Sequence, residues 1–472
     1  MRGAVSTEMP CKLLVAFLRS GPWGSGNRSG YKIIAELLSD ERIDVNTKGG
    51  YYGTALQAAS VGSTNKGTGL VEFLLENGAD ANIQGGYYGN ALQALCHNGC
   101  PVDTLNNLLD NVADVNTPGG EYGNALQAAA ARQRYPFRSD PTDLNNYMDI
   151  QLGLLSRGAD VNQQGGRFGA ALQAAVSPCN TYMTRPTASA VALLLSHGAD
   201  VNIEGGEYGS ALQAACASGD RQAALTLIDK GAAIHMQSGK FGSAWHAVSA
   251  NLEAENDLLE VLLRHGVDVN DTGGRQHTTA LQAALELEDR EFKEQWTWNP
   301  DYFSKKAFIR RKARVRFLVA RGANINLKAG KYGFPLQSAC TTSHRNEVVR
   351  FLLKTYPEID VNAQGGMFGT ALQAAAHRCE PPAIRLLLKR GADVNIRGGK
   401  YGSALNAAVV NGLWDNVEVL LAAGATPDCR LIATPDEDWL RAVVETEEDG
   451  EGAVERYRVF WDVEKKAASG SA

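Results

Sequence analysis

The sequence lacks clustered cysteines and long apolar runs. Its eight cysteines are scattered along 472 residues, and neither a disulfide framework nor paired CxxC spacing is visible. The N-terminal apolar run Leu13–Leu18 is too short for the core of a signal sequence, and no stretch approaches the length of a membrane span. These absences predict a cytoplasmic protein, with a nuclear location as the alternative, and no membrane partner.

Motifs for catalysis and nucleotide binding are also missing. The sequence contains no phosphate-binding P-loop, no HExxH and no GxSxG. Cys96, His97 and Cys100 are the only close Cys/His cluster, and they lack a nearby fourth ligand for a tetrahedral zinc ion. We therefore predict no enzyme activity, no cofactor, no metal centre and no small-molecule substrate.

An excess of positive charge is absent as well. The net charge is −6, and residues 431–472 account for all of it with 11 acidic and 5 basic side chains. The rest of the chain carries equal numbers of both signs. A balanced chain argues against bulk electrostatic capture of nucleic acid, so we predict no nucleic-acid partner.

The sequence does contain one short motif that occurs ten times. Its clearest copy runs from Tyr122 to Ala129 and reads Tyr-Gly-Asn-Ala-Leu-Gln-Ala-Ala. Most neighbouring copies are 33 to 36 residues apart. A unit of this length cannot bury its apolar face alone, so its repetition predicts stacked units without one central core. The copies begin at Tyr52, Tyr88, Tyr122, Phe168, Tyr208, Phe241, His277, Tyr332, Phe368 and Tyr401.

Each copy carries the signals of a helix pair preceded by a tight turn. In one unit, Gly78 suits a left-handed helix end, Gly85-Gly86 suits a hairpin turn, and Asn90 suits an N-cap. The inner helix has a face of small residues, and a leucine-rich outer helix follows. Because such short helices are unstable alone, stacking must stabilise them. We predict an all-α repeat solenoid with short β-hairpin fingers, about ten repeats and degenerate caps.

The unit resembles the ankyrin repeat over roughly residues 30–427. The resemblance rests on Gly-Ala-Asp-Val-Asn segments such as Gly158–Asn162, on the finger glycine, on the inner-helix leucine and on the leucine-rich outer helix. One slot departs from the usual ankyrin signature. Ankyrin repeats commonly open the inner helix with Thr-Pro-Leu-His, whereas this chain has Ala-Leu-Gln there, and only Pro335 keeps the proline.

The variant Gly-Gly-x-Tyr-Gly-x-Ala-Leu-Gln-Ala-Ala resembles ankyrin arrays of filamentous fungi. Such arrays often form the C-terminal arm of nucleotide-dependent, receptor-like proteins. The resemblance, with the extended concave face expected of a solenoid, implies a non-catalytic scaffold that binds another protein through its fingers and inner helices. The alternative is a regulatory or ligand-sensing arm of a receptor-like signalling system.

The sequence divides into three expected parts. Residues 1–46 read as a degenerate N-terminal capping repeat, residues 47–430 as the repeat array, and residues 431–472 as an acidic C-terminal cap and tail. Terminal repeats need a polar outer face, which favours caps at both ends. The array contains an extended helical insertion at 285–314.

The two halves of this insertion carry opposite charges. Glu286–Glu294 holds five acidic and two basic residues, whereas Lys305–Arg316 holds seven basic residues and no acidic one. We predict that the inner helix continues as an acidic arm and that the outer helix begins early as a basic arm facing it. A nuclear-import or nucleic-acid patch is the alternative for the basic run. Trp296 and Trp298 lie between the halves and read equally as interface anchors or as core residues.

The residue before each finger aromatic is the position least constrained by packing. Four of the first five fingers carry aromatic or acidic residues there, and four of the last five carry Lys or Arg. This pattern predicts that the later fingers meet an anionic surface of a partner protein, with ordinary solvated charge as the alternative. The candidate partner-binding residues are Tyr51, Tyr87, Glu121, Arg167, Glu207, Lys240, Arg275, Lys331 and Lys400, together with Trp296 and Trp298 of the insertion.

The finger aromatics and one histidine of an inner helix are interpreted as structural residues. The finger aromatics are expected to pack between neighbouring fingers rather than touch a ligand. His246 replaces the inner-helix glutamine in one repeat. We expect it to be a polar core residue that makes the hydrogen bond that glutamine makes elsewhere.

Overall fold

Helix pairs make up the described chain, as the repeated phrase predicts. The computed structural model describes residues 36, 38, 44–62, 69–111, 114–131, 142–178, 187–252, 254–273, 279–286, 300–342 and 345–426. These residues belong to two compact units, 1–248 and 249–472. Within each unit they form an all-α repeat solenoid. The expected N-terminal cap lies mostly outside the described residues, and the acidic tail lies wholly outside them.

Inner and outer helices alternate along the first unit. Inner helices pack on inner helices of the neighbouring repeat, and outer helices pack on outer helices. The odd-numbered helices are inner and the even-numbered helices outer: α1 Ala55–Gly62, α2 Gly69–Glu76, α3 Ala91–Asn98, α4 Val102–Asp110, α5 Ala125–Ala130, α6 Thr142–Ser156, α7 Ala171–Val176, α8 Thr187–Ser196, α9 Ala211–Ser218, α10 Arg221–Asp229 and α11 Ala244–Ala250.

The second unit repeats the same arrangement. Its inner helices again pack on one another, and so do its outer helices. With the same odd and even assignment, the helices are α12 Asn256–Arg264, α13 Ala280–Glu286, α14 Pro300–Ala320, α15 Pro335–Ala339, α16 Arg345–Thr355, α17 Ala371–Arg378, α18 Pro381–Lys389, α19 Ala404–Val410 and α20 Trp414–Ala422.

Inner helices begin at an N-cap that their own glutamine completes. The Gln93 N–H donates a hydrogen bond to the Asn90 side chain at 2.8 Å. In the first described repeat the Thr54 N–H donates to the Gln57 side-chain oxygen, also at 2.8 Å. Such reciprocal capping satisfies N–H groups that a helix leaves unpaired at its start. Ala170 has no polar side chain, and no side-chain cap bond forms at this described position.

The fingers are tighter than a pair of strands. The Gly85 N–H donates to the Gly89 carbonyl at 2.7 Å, and the two residues form one antiparallel bridge. Within the described residues the fingers hold such single bridges and no longer strand. The bridges join Gly49 to Gly53, Gly85 to Gly89, Gly119 to Gly123, Gly165 to Gly169, Gly205 to Gly209, Ser238 to Gly242, Ala329 to Gly333 and Gly365 to Gly369.

Glycine lets successive fingers stack backbone on backbone. Gly120 has a φ of +62°, and a Cβ at this position would lie 2.2 Å from the Tyr88 carbonyl carbon of the preceding finger. A Cβ on Gly86 would lie as close to the Tyr52 carbonyl oxygen, at 2.2 Å. Any larger residue would therefore combine an unfavourable left-handed conformation with a steric clash.

The inner-helix glutamine pins the finger of the following repeat. The buried Gln213 amide donates to the Met236 carbonyl at 3.1 Å and to the Gly242 carbonyl at 2.8 Å. These carbonyls lie one repeat further along the chain. The amide therefore supplies a donor to the Met236 carbonyl and a second donor to the Gly242 carbonyl, which already accepts from the Ser238 N–H at 2.7 Å. Gln57, Gln93, Gln127, Gln173, Gln282, Gln337 and Gln373 make equivalent bonds.

An asparagine in the loop after most outer helices adds a second inter-repeat bond, whereas the loop after α10 has His235 at this position. The Asn162 side chain donates to the Gly198 carbonyl at 3.0 Å and accepts from the Asp200 N–H at 2.7 Å. One amide thus uses both its donor and its acceptor on the next repeat. The same pattern occurs at Asn46, Asn116, Asn202, Asn270, Asn326, Asn362 and Asn395.

His246 occupies the glutamine position of α11 and is fully buried. Its Nδ1 lies 2.7 Å from the hydroxyl of Ser243, the residue before the helix. The ring thus replaces the capping contact of glutamine, and the prediction of a polar core residue is confirmed for its burial and this bond. Residues 274–278, which the sequence predicts to include the following finger, lie outside the described residues.

The outer helix of the insertion begins early, at Pro300, as the sequence predicts. The sequence also predicts that the whole basic run of this helix forms an arm facing acidic residues. This prediction is wrong for Arg314. Arg314 is buried and donates to the Asn256 side chain at 2.8 Å and to the Ala254 carbonyl at 2.5 Å. Burial lowers the pKa of Arg314 to about 10. The acidic half beyond Glu286 lies outside the described residues.

We expect Gly120→Ala to destabilise the array more than Gly158→Ala. Both glycines have positive φ, at +62° and +84°, but no atom lies within 4 Å of a Cβ at Gly158. The finger variant should therefore lose about 1–3 kcal/mol beyond its control, because the neighbouring finger must move. Urea unfolding followed by circular dichroism measures the difference, and equal midpoints for the two variants would contradict close finger stacking.

The glutamine bond is tested by Gln213→Met, which keeps the length of the side chain and removes its amide. The variant should lose about 1–3 kcal/mol, since the partly buried Met236 and Ser238 carbonyls lose their donor. Gln84→Met, at an exposed finger position, is the matched control. Urea midpoints measure both variants, and a Gln213 variant as stable as the control would show that the amide does not hold the finger.

Candidate functional site

The candidate finger residues of the first unit lie side by side on one continuous backbone ladder. Tyr87 N–H donates to the Tyr51 carbonyl at 2.9 Å, and each following finger repeats this bond at 2.8 or 2.9 Å. Hydrogen-bonded chains lie about 5 Å apart, so the side chains form a closely spaced row. We call this row the finger ridge. In the first unit it consists of Tyr51, Tyr87, Glu121, Arg167, Glu207 and Lys240.

The second unit carries a shorter stretch of the finger ridge. The Met367 N–H donates to the Lys331 carbonyl at 2.7 Å, and the Lys400 N–H donates to the Met367 carbonyl at 2.8 Å. Each lysine ammonium lies over the aromatic ring of its own finger, 5.5 Å from the centre of Tyr332 and 4.9 Å from that of Tyr401. The result is a basic, apolar, basic row whose cations are held by cation–π contacts.

An aromatic pair opens the ridge in the first unit. The rings of Tyr51 and Tyr87 stack with their centres 5.0 Å apart and an interplanar angle of 18°. Tyr51 is 60% exposed. Tyr87 is partly buried, so the stacked pair offers one exposed flat ring with its hydroxyl group at the edge, which is the side-chain chemistry enriched at protein interfaces.

Ion pairs connect the remaining ridge residues of the first unit. Arg167 Nε lies 2.6 Å from one carboxylate oxygen of Glu207, and Lys240 Nζ lies 3.0 Å from the other. On its other side Arg167 lies 3.8 Å from the Glu121 carboxylate. The charges alternate and offset one another. Lys240, which the sequence groups with the later basic fingers, is therefore engaged by its acidic neighbour.

The Glu207 carboxyl group shows the strength of this network. Partial burial acts to raise its pKa, but hydrogen bonds from Arg167 and Lys240 outweigh burial, and the pKa is lowered below 4.5. The same bond to Glu207 raises the pKa of Arg167. The carboxylate thus stays ionised at neutral pH and joins three fingers.

The finger aromatics pack between fingers, as predicted. Tyr88 and Tyr122 stack with ring centres 5.9 Å apart, and Phe368 and Tyr401 stack at 6.3 Å. His97, a member of the Cys/His cluster noted in the sequence, stacks on Tyr122 at 4.3 Å, and its Nε2 lies 3.2 Å from the Tyr122 hydroxyl. The finger aromatics directly follow the ridge residues in the sequence and pack between the fingers that carry the ridge.

Three candidates are not placed: Arg275, Trp296 and Trp298 lie outside the described residues. Among the described residues, no group of three or more His, Cys, Asp or Glu side chains could hold a metal ion. No helix in the described part of the chain is both long enough and apolar enough to cross a membrane. The sequence pattern did not reveal the Glu121–Arg167–Glu207–Lys240 network, because neighbouring members lie 33 to 46 positions apart in the sequence and only finger stacking brings them together.

Glu207→Gln should destabilise the first unit at neutral pH and not in acid. The lowered pKa means that the carboxylate contributes stability above the ordinary value of 4.5, and that this contribution disappears as pH falls through the folded-state pKa. At neutral pH the loss should be a few tenths to about 1 kcal/mol, because the ion pairs are partly solvated. Urea midpoints of wild type, Glu207→Gln and the exposed control Glu204→Gln, followed from neutral pH into acid, measure it. A difference between wild type and Glu207→Gln that persists unchanged in acid would refute the ionic explanation.

Comparisons with known proteins agree with the repeat unit. An ankyrin repeat family model matches residues 369–399. The human transient receptor potential cation channel subfamily A member 1 is 32% identical over 110 residues, which are 23% of this chain and 10% of the channel. The chain thus spans about a tenth of that relative's length.

Two solved structures are similar to the chain. The ankyrin repeat domain of human ASB11 covers 51% of this chain and 94% of that domain, with 22% identity and a TM-score of 0.38. A chain from the complex of a predatory endopeptidase of Bdellovibrio bacteriovorus with an immunity protein covers 45% of this chain and 96% of its own length, with 20% identity and a TM-score of 0.34.

The stretch that matches the family model contains α17, α18 and the turn before the last finger. The same helix pair with its pinned finger recurs in the other described repeats. Ankyrin repeats generally serve as protein-interaction modules. The family match thus shows that the unit at 369–399 is similar to the ankyrin repeat.

Proposed function

We propose that the chain is a non-catalytic scaffold that binds another protein along the finger ridge. The observation that carries this proposal is the backbone ladder, which fixes neighbouring ridge residues at regular spacing. Side chains that are held in place before binding lose less conformational freedom when a partner arrives. The ridge thus has the preorganisation that a recognition surface needs.

The second unit supplies the electrostatic part of the proposal. Lys331, Met367 and Lys400 form a row of two cations around one polarisable apolar side chain. This row fits an acidic partner surface with an apolar residue at its centre, and opposite charge both steers association and fixes its orientation. In the first unit the Tyr51–Tyr87 pair supplies the apolar contact, because the charged residues beside it offset one another.

The Trp296 and Trp298 side chains remain a second proposed contact, independent of the ridge. A regulatory or ligand-sensing arm would use the same surfaces and would differ only in binding after a trigger. Binding measured with and without added nucleotide distinguishes a constitutive scaffold from such an arm.

Lys331→Glu combined with Lys400→Glu should weaken binding of the partner by about tenfold or more, because two attractive charges become repulsive. The partner is first identified by affinity capture with the full chain, then purified, and its Kd is measured by calorimetry. Arg385→Glu with Lys389→Glu, two exposed positions on the outer helix α18, makes the same charge change away from the ridge and should alter Kd by about twofold or less.

Two further variants separate the proposed surfaces. Tyr51→Ala with Tyr87→Ala tests the aromatic end of the ridge, and Trp296→Ala with Trp298→Ala tests the insertion. Unchanged Kd values for both the lysine and the tyrosine variants would rule out the ridge as the binding surface. Loss of binding in the tryptophan variant alone would assign the partner to the insertion.

A further inference from the structure

A groove lies between two outer helices of the second unit, apart from the finger ridge. Helix α14 contributes Phe308, Lys312 and Arg316, which are spaced by four residues and share one helix face. Helix α16 contributes Arg350 and Lys354 to the opposite wall, again four residues apart. The groove encloses about 380 Å³ and is open to solvent along the helices. It contains no ridge residue.

The walls of this groove are strongly basic. Lys312, Arg316, Arg350 and Lys354 line it, and among the described lining residues Glu347 alone is acidic. Among the residues that the structure describes, none of the four cations forms an ion pair. The ridge of the first unit is the opposite case, because its arginine and lysine lie beside glutamates. Four cations that have no carboxylate partner in the described part of the chain attract an anionic ligand.

The floor of the groove is aromatic and holds the cations in place. Lys312 Nζ lies 5.2 Å from the centre of the Phe308 ring and 5.5 Å from that of the buried Phe351. The Arg316 guanidinium lies 5.4 Å from the same Phe351 ring. These cation–π contacts position the charges above an apolar surface. A matching ligand therefore combines negative charge with an apolar side chain.

The insertion builds one end of the groove. The segment Val315-Arg316-Phe317 of α14 corresponds to Val349-Arg350-Phe351 of α16. By this correspondence Phe308 precedes the position at which α16 begins, so an outer helix of ordinary length would not supply it. The early start of α14 at Pro300 thus creates a wall that the neighbouring repeat pairs cannot form.

We propose that this groove binds a short acidic segment of a partner protein through its carboxylates and one apolar side chain. From Phe308 to Arg316 the wall is about 12 Å long, at about 1.5 Å per helical residue. That length accommodates three or four residues of extended chain, at about 3.3 Å each. The combination of basic walls with an aromatic floor favours such a peptide over a nucleic acid, whose capture requires a broader basic surface.

A fluorescein-labelled peptide, Glu-Glu-Phe-Glu-Glu with blocked ends, tests the proposal by fluorescence anisotropy on the full chain in low salt. Arg350→Glu with Lys354→Glu should weaken binding by about tenfold or more. Arg385→Glu with Lys389→Glu is the matched control, since Ile384-Arg385 through Lys389 on α18 aligns with Val349-Arg350 through Lys354. The control and the ridge variant Lys331→Glu with Lys400→Glu should each change the Kd by about twofold or less.

Other results would overturn the proposal. Equal loss in the α16 and α18 variants would mean diffuse charge attraction, and binding of Glu-Glu-Ala-Glu-Glu as tightly as the phenylalanine peptide would remove the role of the aromatic floor. Tighter binding of a labelled single-stranded DNA, lost in the α16 variant, would assign the groove to nucleic acid. Stronger peptide binding after Glu447→Gln, Glu448→Gln and Asp449→Asn would assign the groove to the chain's own acidic segment instead of a partner.

The ridge variant is measured in parallel, so the two proposals are tested separately. A negative result for the groove does not contradict the proposed function of the ridge, and a negative result for the ridge does not contradict the groove.

Discussion

A carboxamide on the inner helix fixes the position of the next finger. In the first unit the Gln213 amide meets three carbonyl groups of one finger, those of Met236, Ser238 and Gly242, at 2.8 to 3.1 Å. Within the finger the Ser238 N–H already bonds to the Gly242 carbonyl, and the amide supplies donors to the partly buried Met236 and Ser238 carbonyls, whose loss would be costly. The glutamine thus links three levels of structure, because one side chain caps its own helix, satisfies a turn and sets the spacing between repeats.

The finger ridge is a consequence of that spacing. Once the glutamine and the asparagine of one repeat hold the next, the finger backbones approach closely enough to form their own ladder. The side chain before each finger aromatic then points outward and lies next to the equivalent side chains of the neighbouring fingers. The Arg167–Glu207–Lys240 contacts arise in this way from residues far apart in the sequence. The contacts between outer helices depend instead on the length of each helix. The long α14 forms a groove with α16 for this reason.

Much of this architecture could be predicted from the sequence. The repeated Gly-x-Ala-Leu-Gln phrase indicates the helix pairs, and the finger glycines indicate tight turns, because few other residues adopt positive φ. The stacking of Tyr88 on Tyr122 follows from the same repetition. The role of Gln213 could not be predicted in the same way. A glutamine that recurs at one position of the inner helices does not reveal that its amide reaches into the next repeat. Arg314 shows the other limit: a basic run suggests a solvated arm, yet this guanidinium is buried against carbonyls of an earlier loop. Local sequence carries no information about which loop will lie beside a long helix.

The asparagine ladder has a consequence for how such a chain can change its length. Asn362 offers a donor to the Gly391 carbonyl and an acceptor to the Asp393 N–H, and Asn162 offers the same pair to Gly198 and Asp200. Every junction built this way has identical chemistry on both sides. A duplicated or deleted repeat that carries this asparagine would therefore meet compatible backbone groups at each new boundary, so this contact does not oppose a change of length by whole units.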